Sequence, residues 1–288
     1  MKTHPEIIGI GELVWDMLPS GKQLGGAPVN FAYWCGRLGA KGYPVSAVGN
    51  DGLGQEALDR LSHTGLDLGY IQHIDRPTGR VDVRLSGEGI PEYDIVEDVA
   101  WDALTADAGA LALAARADAV CWGSLAQRSR CSRSAIETLL AATGEKCLKV
   151  FDINIRRPWY DREVVVDSLS KADILKLNEE ELPLVVSMLG IEKSGEKAVA
   201  ELVRRFSLRY VVHTVGADRS EIHGAEGMLS CIPTPRVEVV DTVGAGDSFT
   251  AAFVTALLHG EPIAACHRKA VETAAQVCTL RGAIPETA

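Results

Sequence analysis

Long apolar runs are missing from this 288-residue chain. No stretch approaches the roughly 18 residues that a membrane-spanning helix needs. Paired cysteines are missing too: seven stand apart at 35, 121, 131, 147, 231, 266 and 278, with no Cys-x-x-Cys. An odd, unpatterned set argues against a disulfide framework or a zinc site and reads as reduced thiols in the cytoplasm. Positive charge is in deficit, with a formal net charge of −10, which disfavours a nucleic-acid or anionic-membrane partner. A local basic pocket for phosphate stays open. Nothing matches Gly-x-x-x-x-Gly-Lys-(Ser/Thr), so a P-loop is excluded. Gly9-x-Gly11 follows the first strand, but the third glycine of a dinucleotide-binding turn is absent and no helix follows. The start has Lys2 but then Pro5, Glu6 and a strand, so no signal peptide is expected. There is no internal repeat, low-complexity stretch or long linker.

What is there reads as an ordinary globular chain, 47% hydrophobic and 24% charged, long enough for one large domain with a small accessory element. Short apolar runs at 6–10, 45–49, 119–122, 148–151, 174–177 and 210–214 alternate with helical patterns. That alternation predicts an α/β fold with a mostly parallel sheet covered on both faces. Helices are expected at 28–38, 53–62, 111–115, 133–142, 178–188, 194–206, 249–258 and 263–279, with Asp51 capping the second. Further strands are expected around 221–223 and 228–232. Residues 80–85 and 92–96 alternate around Gly87-Glu88-Gly89 and predict a hairpin. Trp101 suits core packing or a sugar platform equally. His213 reads as a core-flanking residue.

The densest motif is Val240-Asp241-Thr242-Val243-Gly244-Ala245-Gly246-Asp247-Ser248-Phe249. Val237–Val240 reads as a short β-branched strand, so the glycines fall on a strand-to-helix turn with Asp247 in the helix's first turn. Small residues there let backbone N–H groups converge on an anion, aided by the positive helix end. A carboxylate beside such a hole repels phosphate but suits a general base that takes a proton from an attacking hydroxyl. A cap after a glycine turn is the plainer alternative for Asp247.

Asp-Thr-Val-Gly-Ala-Gly-Asp-Ser-Phe closely resembles the C-terminal signature of the ribokinase-like (PfkB) carbohydrate kinases. Gly25-Gly26-Ala27-Pro28-Val29-Asn30 resembles their N-terminal signature. Taken alone, that run is a helix start, and Asp16 a turn residue. The resemblance covers nearly the whole chain and implies a three-layer α/β/α ribokinase-like fold over 1–288, with a small β-sheet lid from segments near 13–24 and 78–98. It implies that Asp247 is the base, that Gly244, Ala245 and Gly246 form the anion hole, and that Asp16, Gly25, Gly26 and Asn30 hold the sugar. Asp152-Ile153-Asn154-Ile155-Arg156 matches a segment near the active site, placing Arg156 toward substrate or phosphate, although these residues could simply cap a loop. Asn178 and Glu181 match an Asn-x-x-Glu that positions Mg²⁺, partly through water; a helix N-terminus rich in acids accounts for the same residues without metal. Thr214 and Gly216 match the nucleotide-side turn. Arg281-Gly282-Ala283 resembles the family's C-terminal loop, which implies that Gly282 neighbours the nucleotide and a potassium ion.

These matches imply ATP-dependent transfer of the γ-phosphoryl group to a primary hydroxyl, with the lid closing to expel water. Gly-Glu-Leu-Val-Trp-Asp-Met-Leu-Pro followed by Leu-Gly-Gly-Ala-Pro-Val-Asn most resembles the bacterial fructokinases of the family. A 2-keto-3-deoxygluconate kinase is the alternative, since Arg156 and Arg157 could hold a carboxylate; a ribokinase or nucleoside kinase, or an inactive sugar- or nucleotide-binding protein, stands behind it. Exposed lid edges make a homodimer plausible.

Overall fold

The computed structural model describes residues 2–19, 21–85, 91–156 and 158–285, apart from the side chains of 83–85 and 91–93. Gly87-Glu88-Gly89 and Arg157 lie outside the described residues. The strands are β1 (Glu6–Ile10), β2 (Val14–Leu18), β3 (Gly21–Gly25), β4 (Lys41–Gly49), β5 (Ile71–Ile74), β6 (Arg80–Leu85), β7 (Pro91–Ile95), β8 (Ala119–Trp122), β9 (Leu148–Asp152), β10 (Ile174–Asn178), β11 (Tyr210–Val215), β12 (Arg219–Gly224) and β13 (Gly227–Pro233). The helices are α1 (Ala27–Arg37), α2 (Gly52–Ser62), α3 (Ala108–Arg116), α4 (Arg130–Ala141), α5 (Arg162–Lys171), α6 (Glu181–Met188), α7 (Gly195–Phe206), α8 (Ala245–Leu258) and α9 (Ile263–Val277).

Nine strands form one sheet in the order β13-β12-β11-β10-β9-β8-β1-β4-β5. Pairing is parallel from β11 to β5, and β12 and β13 add an antiparallel edge. The central strands are apolar on both faces because helices cover both. On one side α1, α8 and α9 bury Phe31, Trp34, Phe249, Phe253 and Val271 against Ile7, Val150 and Ile174. On the other, α3 to α7 bring Leu113, Leu139, Leu169, Val185 and Leu202 onto Ile8, Val120, Leu175 and Val211. Helix starts are fixed by acidic caps: Asp51, Asp107 and Asp161 accept from the N–H groups of Gly54, Ala110 and Val164 at 2.8, 2.8 and 2.7 Å.

A second sheet, ordered β3-β2-β6-β7, is built from residues 14–18, 21–25, 80–85 and 91–95. In it Asp16 pairs with Gln23 across β2 and β3, so both side chains share a face. Trp101 resolves to core packing: it is fully buried, with the Arg128 guanidinium 4.0 Å over its ring. Arg128 in turn is bonded to Asp102, at 2.9 and 2.8 Å.

One expected element is absent. Val237–Val240 is not a strand but an irregular segment, with Val239 and Val240 about three-fifths exposed (59% and 60%). Its valines have the right propensity, but the backbone N–H of Val240 is taken by the Cys278 carbonyl at 2.8 Å instead of a sheet neighbour. Strand propensity measures fit to a half-buried pleated surface, and no such surface is offered here.

Candidate active site

Ligands in open α/β sheets gather beyond the carboxyl ends of the strands. The sequence-derived candidates collect there. Asp152 ends β9, Asn178 ends β10, and Thr214 pairs with Asn178 near the end of β11.

Helix α8 is the pivot. It is apolar nearly all round and is buried along Ser248–Ala256 between α1, α9 and the sheet, so its first turn is held rigidly. Gly244 is its N-cap, with φ of 80°, a left-handed conformation that glycine adopts without strain. A β-carbon at Gly244 would lie 2.5 Å from Cβ of Ala283, so the turn and the C-terminal loop touch backbone to backbone. Asp241 fixes both: Oδ1 accepts from the N–H of Val243 and Oδ2 from the N–H of Gly282, each at 3.0 Å. Trp34 of α1 adds a third tie, donating its indole N–H to the Ala283 carbonyl at 2.9 Å.

Asp247 stands in the first turn of α8, half-buried, and accepts from Nδ2 of Asn30 at 2.7 Å. Burial pushes its carboxyl up to about 6, and Asp152 adds to this. The Asn30 hydrogen bond and the charges of Lys176 and Arg156 pull the other way. A carboxyl raised in this way accepts a proton more readily than an ordinary one. Beneath it lies Lys176, with Nζ 3.2 Å from Asp152 Oδ1, both side chains buried. Burial opposes the lysine's charge, but Asp152, Glu181 and Asp247 outweigh it and hold its pKa above the ordinary value. A β-carbon on Gly246 would lie 3.0 Å from Lys176 Nζ, so the ammonium sits directly under the glycine turn. The hydroxyl of Thr250 donates to Asp152 Oδ2 at 3.1 Å and completes the group.

Asp16 faces the cleft from β2, its Oδ2 being 3.6 Å from where a β-carbon on Gly25 would be. Burial raises its carboxyl to about 6, with Arg156 opposing. Gly26, with φ of 115°, cannot be replaced without overlap of the new β-carbon with the Glu12 carbonyl. Arg156 is exposed, and its charge reaches Asp16, Glu12 and Asp247. Its loop is held in a strained shape: Asn154 has φ of 40°, and the next N–H, of Ile155, donates to Glu181 Oε1 at 2.8 Å. Glu181 Oε2 accepts from the Asn178 N–H at 2.8 Å, and Asn178 Oδ1 caps α6 through the N–H groups of Glu180 and Glu181, each at 2.9 Å. Gly216, with φ of 42°, turns beside Glu179, which accepts its N–H at 3.2 Å.

Three members were not singled out from sequence. Lys176 is a lone charge inside an apolar strand, Glu12 a lone acid after one, and Asp241 lay unassigned within the motif. A charge interrupting a strand of a fully covered sheet is a readable signal, because such a group is buried only with a partner.

The small second sheet, the first turn of α8 with its carboxyl raised to about 6, and the carboxyl ends of β9 to β11 converge on one cleft. The chain belongs to the pfkB family of carbohydrate kinases, whose sequence model matches residues 18–288. It is 31% identical over 271 residues to the fructokinase of Klebsiella pneumoniae, covering 88% of this chain and 85% of that protein. Among solved structures, an uncharacterized sugar kinase from Pyrococcus horikoshii in complex with ATP is 28% identical, with a TM-score of 0.81 over 97% of this chain and 95% of that one. A fructokinase from Xylella fastidiosa with bound ATP reaches a TM-score of 0.86 over 97% of this chain and 94% of that one at 21% identity, which speaks to fold alone. No helix among the described residues is long and apolar enough to cross a membrane.

Proposed function

We propose that this sugar kinase transfers the γ-phosphoryl group of ATP to a primary hydroxyl of fructose, as one domain with its second sheet as lid. The observation that carries the reading is Asp247: a carboxylate raised to about 6, anchored by Asn30, at the N-terminus of α8. Asp247 takes the proton of the attacking hydroxyl. The N–H groups of Gly244, Ala245 and Gly246 stabilise negative charge on the phosphoryl oxygens, with the Lys176 charge beneath them. Asp16, Gly25, Gly26 and Asn30 orient the sugar. Gln23 Oε1 is a buried acceptor with no hydrogen-bond partner, which suits a ligand rich in O–H donors. Thr214, Gly216 and Gly282 flank the nucleotide, and the exposed valines 237, 239, 240 and 243 offer the base an apolar surface.

The oxygen donors Asn178 and Glu181 suit Mg²⁺ held through water. Their oxygens already accept backbone N–H groups, and the described residues hold no group of three or more His, Cys, Asp or Glu fit for a metal cage. An ion that keeps waters and leans on phosphate oxygens fits that donor set; bound there it neutralises phosphate charge. A potassium ion would belong beside Gly282. A cytoplasmic location is the reading that the free thiols support, and the β3 and β7 edges are where a second copy would pair.

A keto-acid acceptor is the second reading, because Arg156 is an exposed guanidinium whose charge reaches Asp16. Coupled ADP-release assays with Mg-ATP on fructose, 2-keto-3-deoxygluconate, ribose and adenosine separate the two. Turnover is expected on fructose; preference for the keto-acid would overturn the fructose assignment and make Arg156 the selector.

A further inference from the structure

Glu12 lies between β1 and β2, only 3% exposed, and the catalytic scheme above gives it no task. Its main chain packs on the start of α1, where a β-carbon on Gly26 would lie 2.3 Å from the Glu12 carbonyl. Oxygen Oε2 is left buried without a partner. So is Oδ1 of Asn30, three residues along α1 from Ala27. Side chains on a helix lean toward its N-terminus, so the Asn30 amide leans back toward the turn against which Glu12 packs. Both residues thus bring a buried oxygen that lacks a donor to the start of α1. One proton on Glu12 would satisfy both.

We propose that Glu12 is a positioning residue that carries a proton, donating Oε2–H to Oδ1 of Asn30 and so fixing the amide with its Nδ2 end on Asp247. The relay runs from Glu12 through Asn30 to the 2.7 Å bond on Asp247. An amide has one donor end and one acceptor end, so holding the acceptor end decides which end meets the base. The charge environment agrees. Burial first, then repulsion from Asp247, raises the Glu12 carboxyl to about 7, while Arg156 opposes. Groups facing this pair are Asp247 on α8, Arg156 after β9, Asp152 and Lys176 beneath Asp247, and Asp16 from β2.

The inference rests on the kinase reading but not on the identity of the sugar. As pH rises, Asp247 must lose its proton for turnover, while loss of the Glu12 proton breaks the relay and sets a second negative charge beside the base. The two carboxyls titrate as a pair, and wild-type kcat should rise and then fall across neutrality. Glu12→Gln keeps an N–H donor for Asn30 but cannot ionise. Its profile should rise to a plateau, with the alkaline fall removed. Glu12→Leu removes the donor and should lower kcat by about 10²-fold, the scale of a displaced reacting group, with the KM for ATP little changed. A second arm reads the ligand-free protein: a protonated-carboxyl infrared band should titrate near neutrality and vanish in Glu12→Gln. The proposal is overturned if Glu12→Gln retains the alkaline fall, if it is no better than Glu12→Leu, or if no infrared band is lost. Silence of the wild type on fructose would sink the sugar assignment and leave the infrared arm to decide this relay.

Discussion

Asp247→Ala should leave the fold and ATP binding intact and lower turnover by at least the roughly 10²–10⁴-fold attributed to a general base. The effect should fall on kcat, because the proton moves only in the transition state. Every contact around this residue favours a base. Asn30 holds the carboxylate by its Nδ2–H. Burial and Asp152 keep it from being acidic, while Lys176 and Arg156 keep it from staying protonated. The fold should survive, because Asp247 donates no cap to α8: Gly244 is the cap and the buried run Ser248–Ala256 holds the helix. Thermal unfolding and ATP titration calorimetry would verify this, and near-normal kcat in the folded variant would remove Asp247 from the chemistry.

Lys176→Met should cost both stability and activity, for one electrostatic reason. The lysine is the ion-pair partner of buried Asp152 at 3.2 Å. Breaking a buried pair on one side typically costs on the order of 3–5 kcal/mol, because the remaining charge is left uncompensated. In a chain of this size roughly 2–4 °C of Tm is lost per kcal/mol, so calorimetry resolves the change. Asp247 loses an attractive charge as well, so its pKa climbs further and the acid limb of the rate profile moves to higher pH. Adding Asp152→Asn to Lys176→Met should restore part of the stability and none of the rate. Equal recovery of both would mean that Lys176 serves packing only.

The parallel sheet was legible in the chain because its strands carry unbroken apolar runs: β1 at Glu6–Ile10 and β8 at Ala119–Trp122 coincide with the expected bounds. Helix α2 was legible through its cap, Asp51. Elements without such marks were not. Strand β5 is four residues of which only Ile71 is buried, and α5 follows a Pro-Trp-Tyr stretch that breaks the pattern. Val237–Val240 misled because β-branching reports side-chain shape, and only the fold decides whether a neighbouring strand exists. Gly9-x-Gly11 was denied a dinucleotide-binding turn for want of a third glycine and a following helix. A β-carbon on Gly9 would overlap the Pro28 carbonyl, so that glycine lets β1 press against the start of α1. At the site, motif order singled out Asp247, Asp16 and Asn30, but Lys176 on β10 and Glu12 after β1 are single charges whose meaning lies in what the fold packs against them. A one-dimensional pattern gives no partner for a buried charge.

The most direct measurement is ³¹P NMR of the protein incubated with Mg-ATP and fructose. A new phosphomonoester resonance should grow in step with ADP, on the wild type and not on Asp247→Ala. ADP with inorganic phosphate and no phosphosugar, or equal product from both proteins, would contradict phosphoryl transfer to the sugar through Asp247.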